Sequence, residues 1–124
     1  MNAALKFYEQ FSIHEEIECH LAWAGYNASG LAVDKMLRGK KPFTYILRGG
    51  EHQSENEKNY YVSFVRNDGT IAHVPFVVYI KFDGWYYLNG GMGGPYENKI
   101  SIENVLPDIM HCGEQDKCTP MRAS

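Results

Sequence analysis

An α+β fold, with a small central antiparallel sheet flanked by two helices and an additional N-terminal helical segment, is predicted by three observations on this sequence. Helix formers with apolar residues three or four apart occupy both ends of the chain. Short apolar runs bounded by turn residues fill its middle, as strands do. Two of those runs are joined by Asn67-Asp68-Gly69, a strong hairpin signal, which makes the strands beside it antiparallel. At 124 residues the chain has the size of one ordinary domain, able to bury a core without disulfide staples. Residues 1–22 read as a helical extension, 23–112 as the main unit and 113–124 as a tail, where Thr119-Pro120 suits a loop.

Residues 2–21 are rich in helix formers, with Leu5, Tyr8 and Phe11 on one apolar stripe and Ile13, Ile17 and Leu21 on another. The two-residue step from Phe11 to Ile13 breaks the stripe, and Ser12 with Glu15 resembles a capping box, so one broken helix or two short ones are expected. Trp23-Ala24-Gly25-Tyr26 reads as a turn into a small strand or loop. Asn27 or Ser29 can cap a helix from about 29 to 38 in which Leu31, Met36 and Leu37 face inward, with Gly39 just past its end. After Lys40-Lys41-Pro42, strands are expected at 43–48, 60–66 and 70–82, with the polar stretch 51–59 a solvated loop. Pro75 puts the third strand at an edge or a bulge. Asp83-Gly84 turns into a fourth strand at 85–88, and residues 89–95 read as a glycine-rich loop. Ser101 opens a last helix with Ile102, Val105, Leu106 and Ile109 at helical spacing, which Pro107 should end or kink early.

Charge is mixed, with a formal net of −3, so no broad basic field recommends DNA, RNA or an anionic membrane as a partner. Cys19, Cys112 and Cys118 form an odd set without repeated spacing, which suits free thiols in a reducing compartment better than a disulfide framework. No run approaches the roughly 18 apolar residues that a spanning helix needs, and a cytoplasmic monomer is expected. Catalytic motifs are weak. His14-Glu15-Glu16-Ile17-Glu18 puts Glu18 where a zinc-protease motif requires its second His, no CxxC occurs, and the glycines at 90–94 lack the Lys-Ser/Thr of a phosphate loop. No metal, cofactor or enzymatic activity is expected.

Arg48 is the most informative residue. It ends the apolar run Phe43-Thr44-Tyr45-Ile46-Leu47 and precedes Gly49-Gly50. A guanidinium delivered from among buried side chains requires an anion, because an isolated charge in low dielectric is very costly. Phosphate matches the planar fork of Arg two oxygens at a time, and open backbone at the glycines lets amides converge on the same anion.

The order helix, three to four antiparallel strands, helix, with this Arg on the first central strand, resembles the Src-homology-2 domain over roughly residues 23–112. Trp23 looks like the tryptophan that opens the family's fold, and residues 31–37 look like its first helix. Thr44-Tyr45-Ile46-Leu47-Arg48 is similar to its signature strand, Tyr60-Tyr61-Val62-Ser63-Phe64 to its second strand, and Ile71-Ala72-His73 to its third. Residues 85–88 and 101–110 look like the short strand and second helix that complete the pattern. The resemblance implies a module that binds tyrosine-phosphorylated peptides or proteins. By it, Arg48 grips the phosphate; Gly49, Gly50 and Glu51 supply loop amides; Ser54 and Lys58 are the loop's hydroxyl and cation. It also puts His73 beside the phenol ring and Val74 against the peptide residues that follow.

Gly30 and Pro75 stand where many members carry further cations, leaving Lys58 and Lys35 as candidates. Such departures resemble outlying members, including those in effector proteins of intracellular bacteria, for which the expected compartment is the host cytosol. A scaffold that keeps the fold without phosphate recognition is the alternative, and a thiol- or metal-dependent enzyme a more remote one. Residues 89–98 can reshape the peptide groove.

Overall fold

The structure, a computed structural model, describes residues 14–54, 57–81, 84–89, 92–96, 102–113 and 116–122. Three helical segments are present: α1 (14–18), α2 (Gly30–Leu37) and α3 (Ile102–Met110). Six strands, β1 (Thr44–Gln53), β2 (Glu57–Val65), β3 (Ile71–Lys81), β4 (Gly84–Asn89), β5 (Met92–Tyr96) and β6 (Thr119–Pro120), form one sheet in the order β5-β4-β3-β2-β1-β6. Every pairing is antiparallel except β1 with the two-residue β6. The fold is the α+β class that the sequence predicts. The expectations for Leu5, Tyr8, Phe11 and Ser12, for Ser101, and for residues 97–98 of the loop lie outside the described residues.

Side chains alternate across the sheet with period two, and the helices divide between its faces, α1 and α3 on one and α2 on the other. Tyr45 and Leu47 of β1, Tyr60, Val62 and Phe64 of β2 and Phe76 of β3 join Ile102, Val105, Leu106, Ile109 and Met110 of α3 in the main core. Ile46 of β1 and Val65 of β2 point the other way and meet Val33 and Leu37 of α2 in a smaller core. Burying each such side chain stabilises the fold by about 1.5–3 kcal/mol. Ser29 caps α2, its hydroxyl accepting from the Ala32 N–H at 3.0 Å, and Gly39 follows the helix at φ +81°. The β2–β3 turn is the expected hairpin: Gly69 has φ +88°, and Asp68 accepts from the N–H and hydroxyl of Thr70.

Several expectations are corrected. β1 runs five residues past Arg48, through Gly49 and Gly50 to Gln53, so the connection to β2 is far shorter than the solvated loop expected over 51–59. The strand tolerates its glycines because they sit at close approaches. A Cβ on Gly50 would lie 3.0 Å from that of Asn59, and Gln53 ties the irregular register by bonding the Gly50 and Asn59 carbonyls and the Asn59 N–H. The glycine-rich stretch read as loop is largely β5, whose backbone pairs with β4. α3 continues three residues beyond Pro107, because one lost backbone donor is outweighed by the apolar face that Leu106, Ile109 and Met110 bury. β3 lies inside the sheet order, yet β4 pairs with it only from Val77 onward, so Pro75 occupies a locally open edge.

The tail is not outside the domain. Thr119 and Met121 donate to the Phe43 and Tyr45 carbonyls at 2.9 Å, and Ile17 of α1 is fully buried in the main core. Cys112 and Cys118 form a disulfide, and Cys19 alone is a free thiol, exposed. This overturns the reading of three free thiols and removes the argument it made for a reducing compartment. The pair meets because the chain leaving α3 returns as β6. Loop-closure entropy assigns a crosslink of this span about 2 kcal/mol. Accordingly, Cys112→Ser is expected to lower the unfolding free energy by that amount without altering the far-ultraviolet spectrum, and a chemical denaturation curve measures it.

His14 gives the fold a pH dependence. Its Nδ1 lies 2.9 Å from the Tyr60 hydroxyl and its Nε2 has no hydrogen-bond partner among the described residues. Burial, and then Lys58, lower its pKa from 6.5 to about 4, against a small opposing influence of Glu18. Between those values the unfolded chain binds the proton and the folded one does not, so stability is full above pH 6.5 and falls toward pH 4. The loss is about 3 kcal/mol over that interval. Denaturation at pH 7 and pH 4.5 is expected to show this slope, flattened in His14→Gln; an equal slope in the variant would refute the assignment.

Candidate functional site

The site forms where β1 emerges between α2 and β2. Period-two alternation places Arg48 on the face of Ile46, toward α2, and the register aligns Ile46 with Ser63 and Ser63 with His73. Arg48 is half-buried. Its Cζ lies 4.2 Å from the centroid of the Tyr61 ring, a cation–π contact that fixes the guanidinium plane. A Cβ on Gly30, the first residue of α2, would stand 3.3 Å from Nη2, so the missing side chain there leaves room for the fork. Burial lowers the pKa of the guanidinium, and among the described residues no carboxylate forms an ion pair with it.

A chain of polar groups holds this cation from below. Arg48 Nε lies 3.5 Å from Ser63 Oγ, which is 2.7 Å from His73 Nδ1; His73 Nε2 lies 3.5 Å from Asp34 Oδ1, and Asp34 Oδ2 is 3.0 Å from Arg38. Arg can only donate, so Ser63 accepts from Arg48, and its hydroxyl meets His73 Nδ1 as donor or as acceptor according to the imidazole tautomer. Arg38, followed by His73, holds the Asp34 carboxyl below the usual carboxylate range.

Above the guanidinium lies a cavity of about 640 Å³, walled by residues 26–30 leading into α2, by Arg48 through Glu51 and Gln53, and by Tyr61. Two sources of positive potential therefore converge on one hollow: the Arg48 fork and the N-terminus of α2, whose first amides carry partial positive charge. Such a cavity suits a compact anion.

The structure brings together Arg48, Gly49, Gly50 and Glu51 at the cavity and ties His73 to Arg48 through Ser63. It departs from the expectations in three respects, at Gly49, Ser54 and Lys58. The Gly49 N–H is donated to the Gly25 carbonyl at 3.0 Å, because residues 22–25 run alongside β1, so it is not a loop donor. Ser54 closes the β1–β2 turn by donating twice to the Glu57 carbonyl. Lys58 shares the face of Tyr60 and Val62, and its field acts on His14, so it lies on the α3 side of the sheet. Val74 is also on that side, half-buried against the main core. Asp34, Tyr61 and Ser63 were missed by the sequence reading. Ser63 left a signal, a lone hydroxyl within an apolar strand, fully buried in the structure.

Among the described residues no group of three His, Cys, Asp or Glu side chains is placed to hold a metal ion, and no helix is long and apolar enough to cross a membrane. No family model matches the chain, and no curated protein matches it in sequence.

Proposed function

We propose that this domain is a phosphotyrosine reader of the Src-homology-2 type, taking the phosphate into the cavity above Arg48. The observation that carries the reading is a half-buried guanidinium without a carboxylate partner among the described residues, facing a hollow instead of a core. A phosphate at pH 7 brings about −1.5 to −2 charges, which Arg48 and the α2 amides share. The element order supports the reading, as does the parallel bridge of Trp23 to Leu47 beside the strand that carries Arg48. The edge of β3 that β4 leaves open among the described residues, along His73 and Val74, offers backbone to an extended peptide. From there His73 serves the phosphate face of the sheet and Val74 the α3 face.

A scaffold without phosphate recognition is the reading favoured by Glu51, whose residue lines the cavity with a carboxyl group, and by the diversion of Ser54 and Lys58. Calorimetric titration with a phosphotyrosine peptide, its unphosphorylated twin and a phosphoserine control separates the two. Micromolar or tighter binding, about −8 kcal/mol or better, to the first peptide alone supports the reader. Equal affinity for the phosphorylated and bare tyrosine peptides supports the scaffold.

A further inference from the structure

The cavity above Arg48 carries a second charge. Among the described residues its charged members are Arg48 and Glu51, both on β1. Three residues of strand span about 10 Å, and neither of the two forms an ion pair, with the other or with any described residue. Arg48 is engaged instead by the Tyr61 ring and Ser63, while Glu51 is exposed. Neighbouring polar groups of the wall are committed elsewhere: Tyr26 donates its hydroxyl to Glu18, and Gln53 bonds the backbone of Gly50 and Asn59. One hollow therefore holds a cation and an anion that do not neutralise each other.

We infer that the ligand carries both charges as well: a phosphotyrosine with a Lys or Arg immediately before it, the base meeting Glu51. The inference rests on the phosphotyrosine reading and names the class of peptide that the same site takes. A phosphate on Arg48 brings about −1.5 to −2 charges into the hollow that Glu51 lines. The Debye length at physiological ionic strength is about 8 Å, so the repulsion between the two anions is only partly screened. A cationic neighbour in the ligand offsets that repulsion, and an acidic neighbour adds to it. The long flexible stem of a Lys or Arg lets its charge reach an exposed carboxylate beside the phosphate. The side of the ligand follows from the strand order. β1 and β3 flank β2, and the open edge of β3 takes the residues after the phosphotyrosine, so the residue before it passes Glu51 of β1.

The test is calorimetric titration of the full chain with three phosphotyrosine peptides that differ only in the preceding residue, Lys, Ala or Glu. Affinity is expected to fall in that order, the Lys peptide binding about fivefold more tightly than the Glu peptide at low salt. In Glu51→Gln the three affinities are expected to converge, and the Ala peptide to bind more tightly than it does to the parent. Equal affinity of the parent for the three peptides, with binding still lost in Arg48→Ala, overturns the inference and spares the phosphotyrosine reading. A Lys preference that persists in Glu51→Gln has the same meaning. Binding of none of the three overturns the phosphotyrosine reading and the inference together.

Discussion

Arg48→Ala is expected to weaken binding of a phosphotyrosine peptide by about 2–5 kcal/mol, roughly 30-fold to several-thousand-fold. The size of the effect follows from the site's geometry. Lys35 is exposed and Lys58 lies across the sheet, so the fork at position 48 and the α2 amides carry the phosphate between them. Removing the fork leaves a dianion partly desolvated against a weak helix field, and a helix terminus contributes only about 0.3–1 kcal/mol per charge. The same substitution should not harm the unliganded protein. Arg48 is desolvated without a carboxylate partner among the described residues, and its contacts with Tyr61 and Ser63 are replaceable by water. Thermal unfolding of Arg48→Ala in the absence of peptide is therefore expected to match the parent within about 1 kcal/mol. A large loss of stability would mean that the guanidinium is a structural strut and that the binding defect is indirect.

The largest effect on folding is expected at Gly49. Unlike Gly25, Gly39 and Gly69, it does not lie in the left-handed region, so alanine is acceptable to its backbone. The obstacle is steric. A Cβ there would lie 1.9 Å from Tyr26 Cδ1 and 2.5 Å from Cε1. The Tyr26 ring cannot simply yield, since it meets Trp23 edge to face at 5.0 Å and donates its hydroxyl to Glu18 of α1. Overpacking a held ring costs about 3 kcal/mol, a fall in melting temperature of roughly 10–15 °C for a chain of this size. In a Tyr26→Ala background the same Gly49→Ala change should cost under about 0.5 kcal/mol, because the obstructing ring is gone. Equal costs in both backgrounds would show that the backbone, and not Tyr26, requires the glycine.

What was legible in the sequence is what local chemistry determines. Ser29 and Gly39 mark the ends of α2 because a cap hydroxyl and a left-handed glycine act within one turn of their own positions. Asp68-Gly69 marks its hairpin for the same reason. Arg48 was legible because a charge at the end of an apolar run contradicts its surroundings, and the structure sets it at a cavity. What was not legible depends on partners distant in the chain. β1 extends across Gly49 and Gly50 because Tyr26 and Asn59 fill the space their side chains would take, and Gln53 repairs the register. The Cys112–Cys118 pair follows from β6 returning to β1, which no spacing of cysteines announces. Lys58 looked like a phosphate ligand by proximity in sequence, but strand alternation turns it to the other face.

The most direct measurement is the NMR signal of the Arg48 Nη–H groups, the Nε–H being donated to Ser63, followed as a phosphotyrosine peptide is added. A guanidinium that receives phosphate oxygens in the cavity predicts a saturable downfield shift of this one signal, absent with the unphosphorylated peptide. An Arg48 signal that stays in place while the phosphorylated peptide binds and shifts resonances elsewhere would contradict the account.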